Sequence, residues 1–147
     1  MSTEFQERVQ HTLGDTFQIE RELAPGGMSR LFLAAERSLD RRVVVKVLPE
    51  LASEASAHRF QREMLVTAKL QHAHILPVLT AGARDGLLFY VTPFVAGQSL
   101  RQHLVLNGAL PIDEVVRVLR EVVDALAFAH ALGVVHRDLK PENILLQ

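Results

Sequence analysis

The spacing of apolar and polar positions changes along the chain, and that change divides it. Phe17, Ile19 and Leu23 share one parity with polar residues between them, which predicts a half-buried strand. Ala24-Pro25-Gly26-Gly27-Met28-Ser29 follows as a turn, because Pro and Gly interrupt regular structure. Leu31-Phe32-Leu33-Ala34 resumes an apolar strand, residues 38–42 form a polar connector, and Val43-Val44-Val45-Lys46-Val47-Leu48 is a β-branched strand carrying one lysine. Pro49 ends it. Residues 53–70 are rich in good helix formers, and Phe60, Met64 and Ala68 recur at helical spacing, so a helix is predicted with these three facing a core. Two short strands are predicted next, near residues 75–79 and 87–92, split by the turn Arg84-Asp85-Gly86.

After Pro93 the pattern becomes helical. A short helix is predicted over residues 99–106, ending near Asn107-Gly108. The clearest helix covers residues 113–132. Arg117, Arg120, Glu121 and Asp124 make its polar stripe, and Val115, Leu119, Val122, Leu126 and Ala129 its apolar face. Asp113 and Glu114 suit the positive end of its dipole, and Gly133 is placed to stop it. The order is a strand-rich part with one inserted helix, then a helical part, an α+β arrangement that breaks near Ala96-Gly97.

Composition narrows the function class. The 147 residues are 48% hydrophobic with a formal net charge of -1, a globular balance with no electrostatic case for nucleic acid. Cysteine is absent, so disulfides and thiolate metal sites are excluded, which fits a reducing, cytoplasmic setting. The longest apolar runs are far too short to span a bilayer, and residues 1–10 are polar and mixed in charge, unlike a secretory signal. His72 and His74 have metal-ligand spacing, but no third ligand lies near them in sequence.

The most informative stretch is His136-Arg137-Asp138-Leu139-Lys140-Pro141-Glu142-Asn143. It fits the pattern His-Arg-Asp-Leu-x-x-x-Asn at every specified position. Phosphoryl transfer to a hydroxyl needs a carboxylate beside the incoming oxygen, to orient it and take its proton, and Asp138 is the candidate. An amide oxygen ligates magnesium without adding charge, which suits Asn143. Lys140 brings positive charge to the group in transfer.

On these residues the chain resembles the eukaryotic-type serine/threonine protein kinases, and most closely their bacterial members, from about Phe17 to Leu146. The lysine in His-Arg-Asp-Leu-Lys-Pro-Glu-Asn favours Ser/Thr over Tyr specificity. The resemblance implies a protein-kinase-like fold. Residues 1–16 are a lead-in, 17–96 an ATP-binding lobe with an antiparallel sheet and one long helix, and 97–147 the start of a helical second lobe. It also implies ATP and Mg2+ (Mn2+ as a possible substitute), protein substrates bearing Ser or Thr, no nucleic acid, and no membrane segment in this chain.

Further roles follow from the resemblance position by position. Lys46 sits in Val-Val-Val-Lys, similar to the family's Val-Ala-Ile-Lys, and would contact the α- and β-phosphates. Glu63, in the next helix, would pair with Lys46; a surface pair with Arg59 is compatible with that role. The glycine-rich pattern aligns with residues 24–29, keeping Gly26, adding Gly27, and replacing the outer glycines by Ala24 and Ser29. Read alone, that segment fits a plain hairpin turn as well as a phosphate cradle, and the departure bears on nucleotide affinity and loop closure. Leu23 and Val44 would wall the adenine, Leu31 would also belong to the nucleotide site, Thr92 would be the gatekeeper, and Phe94 and Val95 would belong to the hinge that meets the base. Arg137 would offer charge to a phosphorylated activation loop.

The family's Asp-Phe-Gly does not occur in this sequence, which ends at Gln147 in the predicted strand 144–146. The expectation is therefore a piece of a kinase domain. Phosphoryl transfer by these residues alone should be weak, and the apolar face of the 113–132 helix should be under-packed. A membrane anchor beyond Gln147 would be compatible with the family. The competing reading is a catalytically impaired nucleotide-binding or protein-interaction module. A small-molecule kinase sharing the loop is opposed by Lys140-Pro141-Glu142-Asn143.

Overall fold

In the computed structural model, which describes residues 2–24, 29–48 and 53–147, the β-branched run around Lys46 is the middle strand of an antiparallel sheet. The strands are β1 (Phe17–Ala24), β2 (Arg30–Glu36), β3 (Arg41–Leu48), β4 (Thr80–Arg84) and β5 (Leu87–Pro93), in the order β1-β2-β3-β5-β4. Alternation decides the two faces. Val43, Val45 and Val47 are at most 1% exposed, while Val44, Lys46 and Leu48 between them are only half-buried. The β4–β5 turn is the expected one: Asp85 and Gly86 both have positive φ, 51° and 73°, the geometry a two-residue hairpin needs.

The polar start of the chain is helical. Helix α1 (Ser2–Leu13) sets Val9 and Leu13 into the core with Phe17, Ile19, Phe32, Ala34, Val43, Val45 and Val47. Burying side chains of this size is worth roughly 1.5–3 kcal/mol each, enough to hold an otherwise polar helix on the sheet. Phe5 stacks on Phe32 with ring centroids 6.3 Å apart, and the Arg30 guanidinium lies 4.3 Å from the Phe5 centroid while pairing with Glu22 at 2.7 Å. At the other end of α1, the Thr12 hydroxyl donates to Asp85 Oδ2 at 3.1 Å, and Arg8 donates to the Asp85 carbonyl at 2.9 Å. Gly14, at φ 65°, ends the helix and donates to the Gln10 carbonyl at 3.1 Å.

Helix α2 (Glu54–Thr67) is capped by Ser53, whose hydroxyl accepts from the Ser56 N–H at 3.2 Å. Phe60 is buried and Met64 half-buried as expected, but Ala68 is exposed: it is the C-cap residue, past the last turn that packs. The strand expected at residues 75–79 is also corrected. Those residues are irregular, because Pro77 has no amide to donate, and pairing begins only where the Leu79 N–H meets the Val91 carbonyl at 2.8 Å.

The described residues form two compact units: Met1–Lys69 with Pro77–Phe94, and Leu70–Leu76 with Val95–Gln147. The second contains β6 (Gln98–Ser99), α3 (Leu100–Asn107), α4 (Ile112–Ala131), a 3-10 turn (Pro141–Asn143) and β7 (Leu145–Leu146). Ser99 and Gln102 close a reciprocal capping box on α3, and β6 pairs antiparallel with β7. On α4 the buried residues are Val118, Ala125 and Ala129. Of the apolar face expected there, Ala129 is buried, Val122 and Leu126 are half-buried, and Val115 and Leu119 are exposed. The apolar arc opposite the charged stripe is broad, so periodicity did not single out which part of it is buried. Contact with residues 70–76 orients it: the His72 ring lies 5.2 Å from that of Phe128, and its Nε2 is 2.9 Å from Asp124 Oδ2. His72 Nδ1 accepts from the His74 N–H at 3.0 Å, which occupies the ring's second nitrogen.

Candidate active site

In the first unit, strand register brings the expected nucleotide residues onto one sheet face. Lys46 is paired with Leu31 on one side and Tyr90 on the other, and Val44 with Leu33 and Thr92. All six therefore point the same way. Leu23 sits at an irregularity in the β1–β2 register, between Glu22 and Ala24, and is half-buried. Thr92 is 8% exposed, and the Phe94 N–H donates to the Arg42 carbonyl at 3.3 Å. Val95, in the other unit, is half-buried, as is Ser29. Gly26 and Gly27 lie outside the described residues.

The Lys46 ammonium is 5.6 Å from the Tyr90 ring centroid, and among the described residues it makes no ion pair. The expected Lys46–Glu63 pair is not formed; Glu63 is exposed on α2, where its carbonyl accepts from the Thr67 hydroxyl at 2.9 Å. A half-buried cation without a carboxylate, bordered by Leu31 and Val44, fits a ligand that is anionic at one end and apolar at the other.

In the second unit, the loop after α4 is built around Asp138. The Asp138 N–H donates to His136 Nδ1 at 3.1 Å, so the histidine holds the loop backbone. Arg137 between them has φ 66°, a left-handed conformation rare for a bulky side chain. Lys140 Nζ lies 3.3 Å from Asp138 Oδ2, and this contact above all holds the carboxyl below its ordinary range. Asn143 Nδ2 donates to the Asp138 carbonyl at 2.8 Å and approaches Oδ2 at 3.4 Å. With its nitrogen used this way, the Asn143 amide oxygen has no partner among the described residues, which fits a hard cation. The 3-10 turn carrying Asn143 closes through its N–H to the Lys140 carbonyl at 2.9 Å.

A model of the protein kinase domain matches residues 17–147. The chain belongs to the protein kinase domain family. Serine/threonine-protein kinase pkn3 of Myxococcus xanthus is 42% identical over 146 residues, covering 96% of this chain and 26% of the relative. Serine/threonine-protein kinase PrkC of Bacillus subtilis is 35% identical, covering 88% of the chain and 20% of the relative. The chain thus spans about a quarter or less of the length of these relatives. The PknI kinase domain of M. tuberculosis superposes with a TM-score of 0.78 at 32% identity, over 89% of this chain and 54% of that structure. A structure of Rad53 1-466 in complex with AMP-PNP gives a TM-score of 0.83 at 26% identity, over 97% and 38%. The kinase fold expected from the loop motif is the fold observed.

Two neighbours of the candidate site residues escaped the sequence reading. Tyr90 flanks Lys46 only through β3–β5 register, although its parity with Thr92 in a β-rich run was visible. Arg101, whose Nε donates to Glu142 Oε1 at 2.8 Å, has a partner 41 residues away and no local signal.

Proposed function

We propose that this chain is part of a protein serine/threonine kinase that transfers the γ-phosphoryl group of Mg-ATP to Ser and Thr hydroxyls of proteins. The observation that carries the reading is the Asp138–Lys140–Asn143 cluster: a carboxylate held ionised by a lysine, beside an amide whose nitrogen is fixed and whose oxygen is available. Asp138 would orient the substrate hydroxyl and accept its proton. Lys140 would offset negative charge building on the transferred group. Asn143 would hold a magnesium ion through its amide oxygen, and Lys46 would hold the phosphates. Magnesium, when bound, neutralises phosphate charge. Leu23, Leu31, Val44 and Thr92 would enclose the base, with Phe94 and Val95 meeting its edge; Gly26, Gly27 and Ser29 would cover the phosphates. Glu63 would pair with Lys46 in the nucleotide-loaded state. The AMP-PNP bound by the Rad53 structure supports an adenine nucleotide here.

Fluorescent-ATP titration with and without magnesium, followed by transfer of labelled phosphate to Ser/Thr-containing peptides, tests the reading. Magnesium-dependent binding that Lys46→Met weakens, with transfer lost in Asp138→Asn, is expected. No magnesium-dependent binding would overturn it. The unformed Lys46–Glu63 pair and the exposed Leu119 and Val123 of α4, 57% and 62% accessible, favour a second reading as a non-catalytic interaction module. Binding of nucleotide without any transfer would support that alternative.

A further inference from the structure

We propose that Arg101 is a positioning residue for the catalytic loop, acting through Glu142 to keep Asn143 in place; this rests on the kinase reading above. The register of two segments carries the argument. Gln98 pairs with Leu146 and Ser99 with Leu145. One residue further, the Leu100 N–H donates to the Ile144 carbonyl at 2.7 Å. The backbone ladder stops there because the chain turns into α3, and the next side chain continues it: Arg101 Nε donates to Glu142 Oε1 at 2.8 Å. Residues 98 to 101 therefore fasten 146, 145, 144 and 142, and step over Asn143.

Asn143 is thus bracketed by two anchored neighbours while its own groups turn inward, the N–H to the Lys140 carbonyl at 2.9 Å and Nδ2 to the Asp138 carbonyl at 2.8 Å. Ile144 is held by backbone, which no side-chain change removes. Glu142 is held by Arg101 from the far segment, and that restraint alone depends on a side chain. Both partners are about half exposed, 51% and 46%, so the pair contributes little to global stability. Its effect falls on the placement of the turn between two fixed points. The Ser99–Gln102 capping box starts α3 independently of Arg101, so replacing Arg101 leaves the helix formed.

The test uses Arg101→Ala, Glu142→Ala, and the charge reversal Arg101→Glu with Glu142→Arg. The chain has two asparagines, Asn107 and Asn143, so 15N-asparagine labelling with Asn107→Ala assigns the Asn143 carboxamide. In the parent protein the proton bonded to the Asp138 carbonyl should lie downfield of its free-amide position, widening the separation that restricted C–N rotation already gives the pair. Each single substitution should narrow that separation toward the free-amide value, and the reversal should restore it. In parallel, the magnesium concentration for half-maximal binding of a fluorescent ATP analogue should rise several-fold in the single variants, short of the ~10-fold or more that losing a direct partner of a metal ligand costs. Affinity measured without magnesium should be unchanged. An unaltered carboxamide and magnesium midpoint in Arg101→Ala would overturn the inference. A parent protein with the bonded carboxamide signature but no magnesium-dependent binding would overturn the kinase reading, and this role for Arg101 with it.

Discussion

Asn143 Nδ2 donates to the backbone carbonyl of Asp138 at 2.8 Å, so a candidate metal ligand and a candidate base are tied by a bond that neither reaction partner supplies. Two functional groups five residues apart are thereby pre-set with respect to each other. Such groups do not have to be ordered at the moment of reaction.

Replacing Asp138 with Asn should separate chemistry from binding. Loss of a positioned base costs about 10²–10⁴ in rate. Single-turnover phosphoryl transfer should fall by that order, with the nucleotide dissociation constant within about two-fold of the parent's.

Lys140→Ala should move the titration of Asp138. The Lys140 contact holds this carboxyl below its ordinary range in the folded chain. A depressed value in the folded state means the pair's stabilising effect is present above the unfolded value, about 3.9, and is lost as pH falls through the folded one. Carboxyl-carbon NMR of the nucleotide-free chain should show Asp138 titrating at higher pH in Lys140→Ala; an unmoved midpoint would show that another group sets it.

Val9→Ala should destabilise the first unit although Val9 precedes the matched kinase region. Val9 is 1% exposed in the sheet core, and the loss of its buried carbons should cost about 2 kcal/mol. Denaturant unfolding should shift to a lower midpoint with an unchanged slope, and Glu7→Ala on the exposed side of α1 should leave it in place.

Gly97→Ala should loosen β6 from β7. Gly97 has φ 151°, and a Cβ there would lie 2.1 Å from the Leu146 carbonyl oxygen. Neither backbone can give way without breaking the pairing, so a penalty of roughly 1–3 kcal/mol is expected. Hydrogen exchange at the Leu100 amide, which donates to the Ile144 carbonyl, should report it, while amides of β3 keep the protection they have in the parent.

Glu63→Gln should leave the melting temperature of the nucleotide-free chain within about 1 °C, because the glutamate is exposed and unpaired with Lys46 there, and exposed charges contribute little. A fall of several degrees would mean that the pair forms in solution without nucleotide.

What the sequence reveals depends on how local each signal is. The loop from His136 to Asn143 is contiguous, and its internal bonds span five residues or fewer, so its chemistry was readable. The β3 strand was readable because its β-branched run is continuous and carries a single charged residue, Lys46. Helix α1 was not recognised: its apolar stripe of Phe5, Val9 and Leu13 is one residue wide and lies in a polar background, and it is stabilised by a sheet that forms later in the chain. The 75–79 segment looked apolar enough for a strand, yet pairing is a matter of amides, and Pro77 lacks one. On α4 the charged stripe marked the polar side, but the apolar arc is broad, and the docking of His72 on Phe128 selects which part of it is buried. Relations such as Arg101 with Glu142 depend on topology, which composition does not encode.

Arg137 leaves one consequence. A left-handed backbone costs a bulky residue of the order of 1–2 kcal/mol relative to glycine, so the loop at φ 66° is a loaded spring whose latch is the His136 imidazole gripping the next amide. Glycine at 137 would relax the spring and give a sturdier but uncharged loop. The arginine keeps the loop under tension and keeps a charged side chain on it.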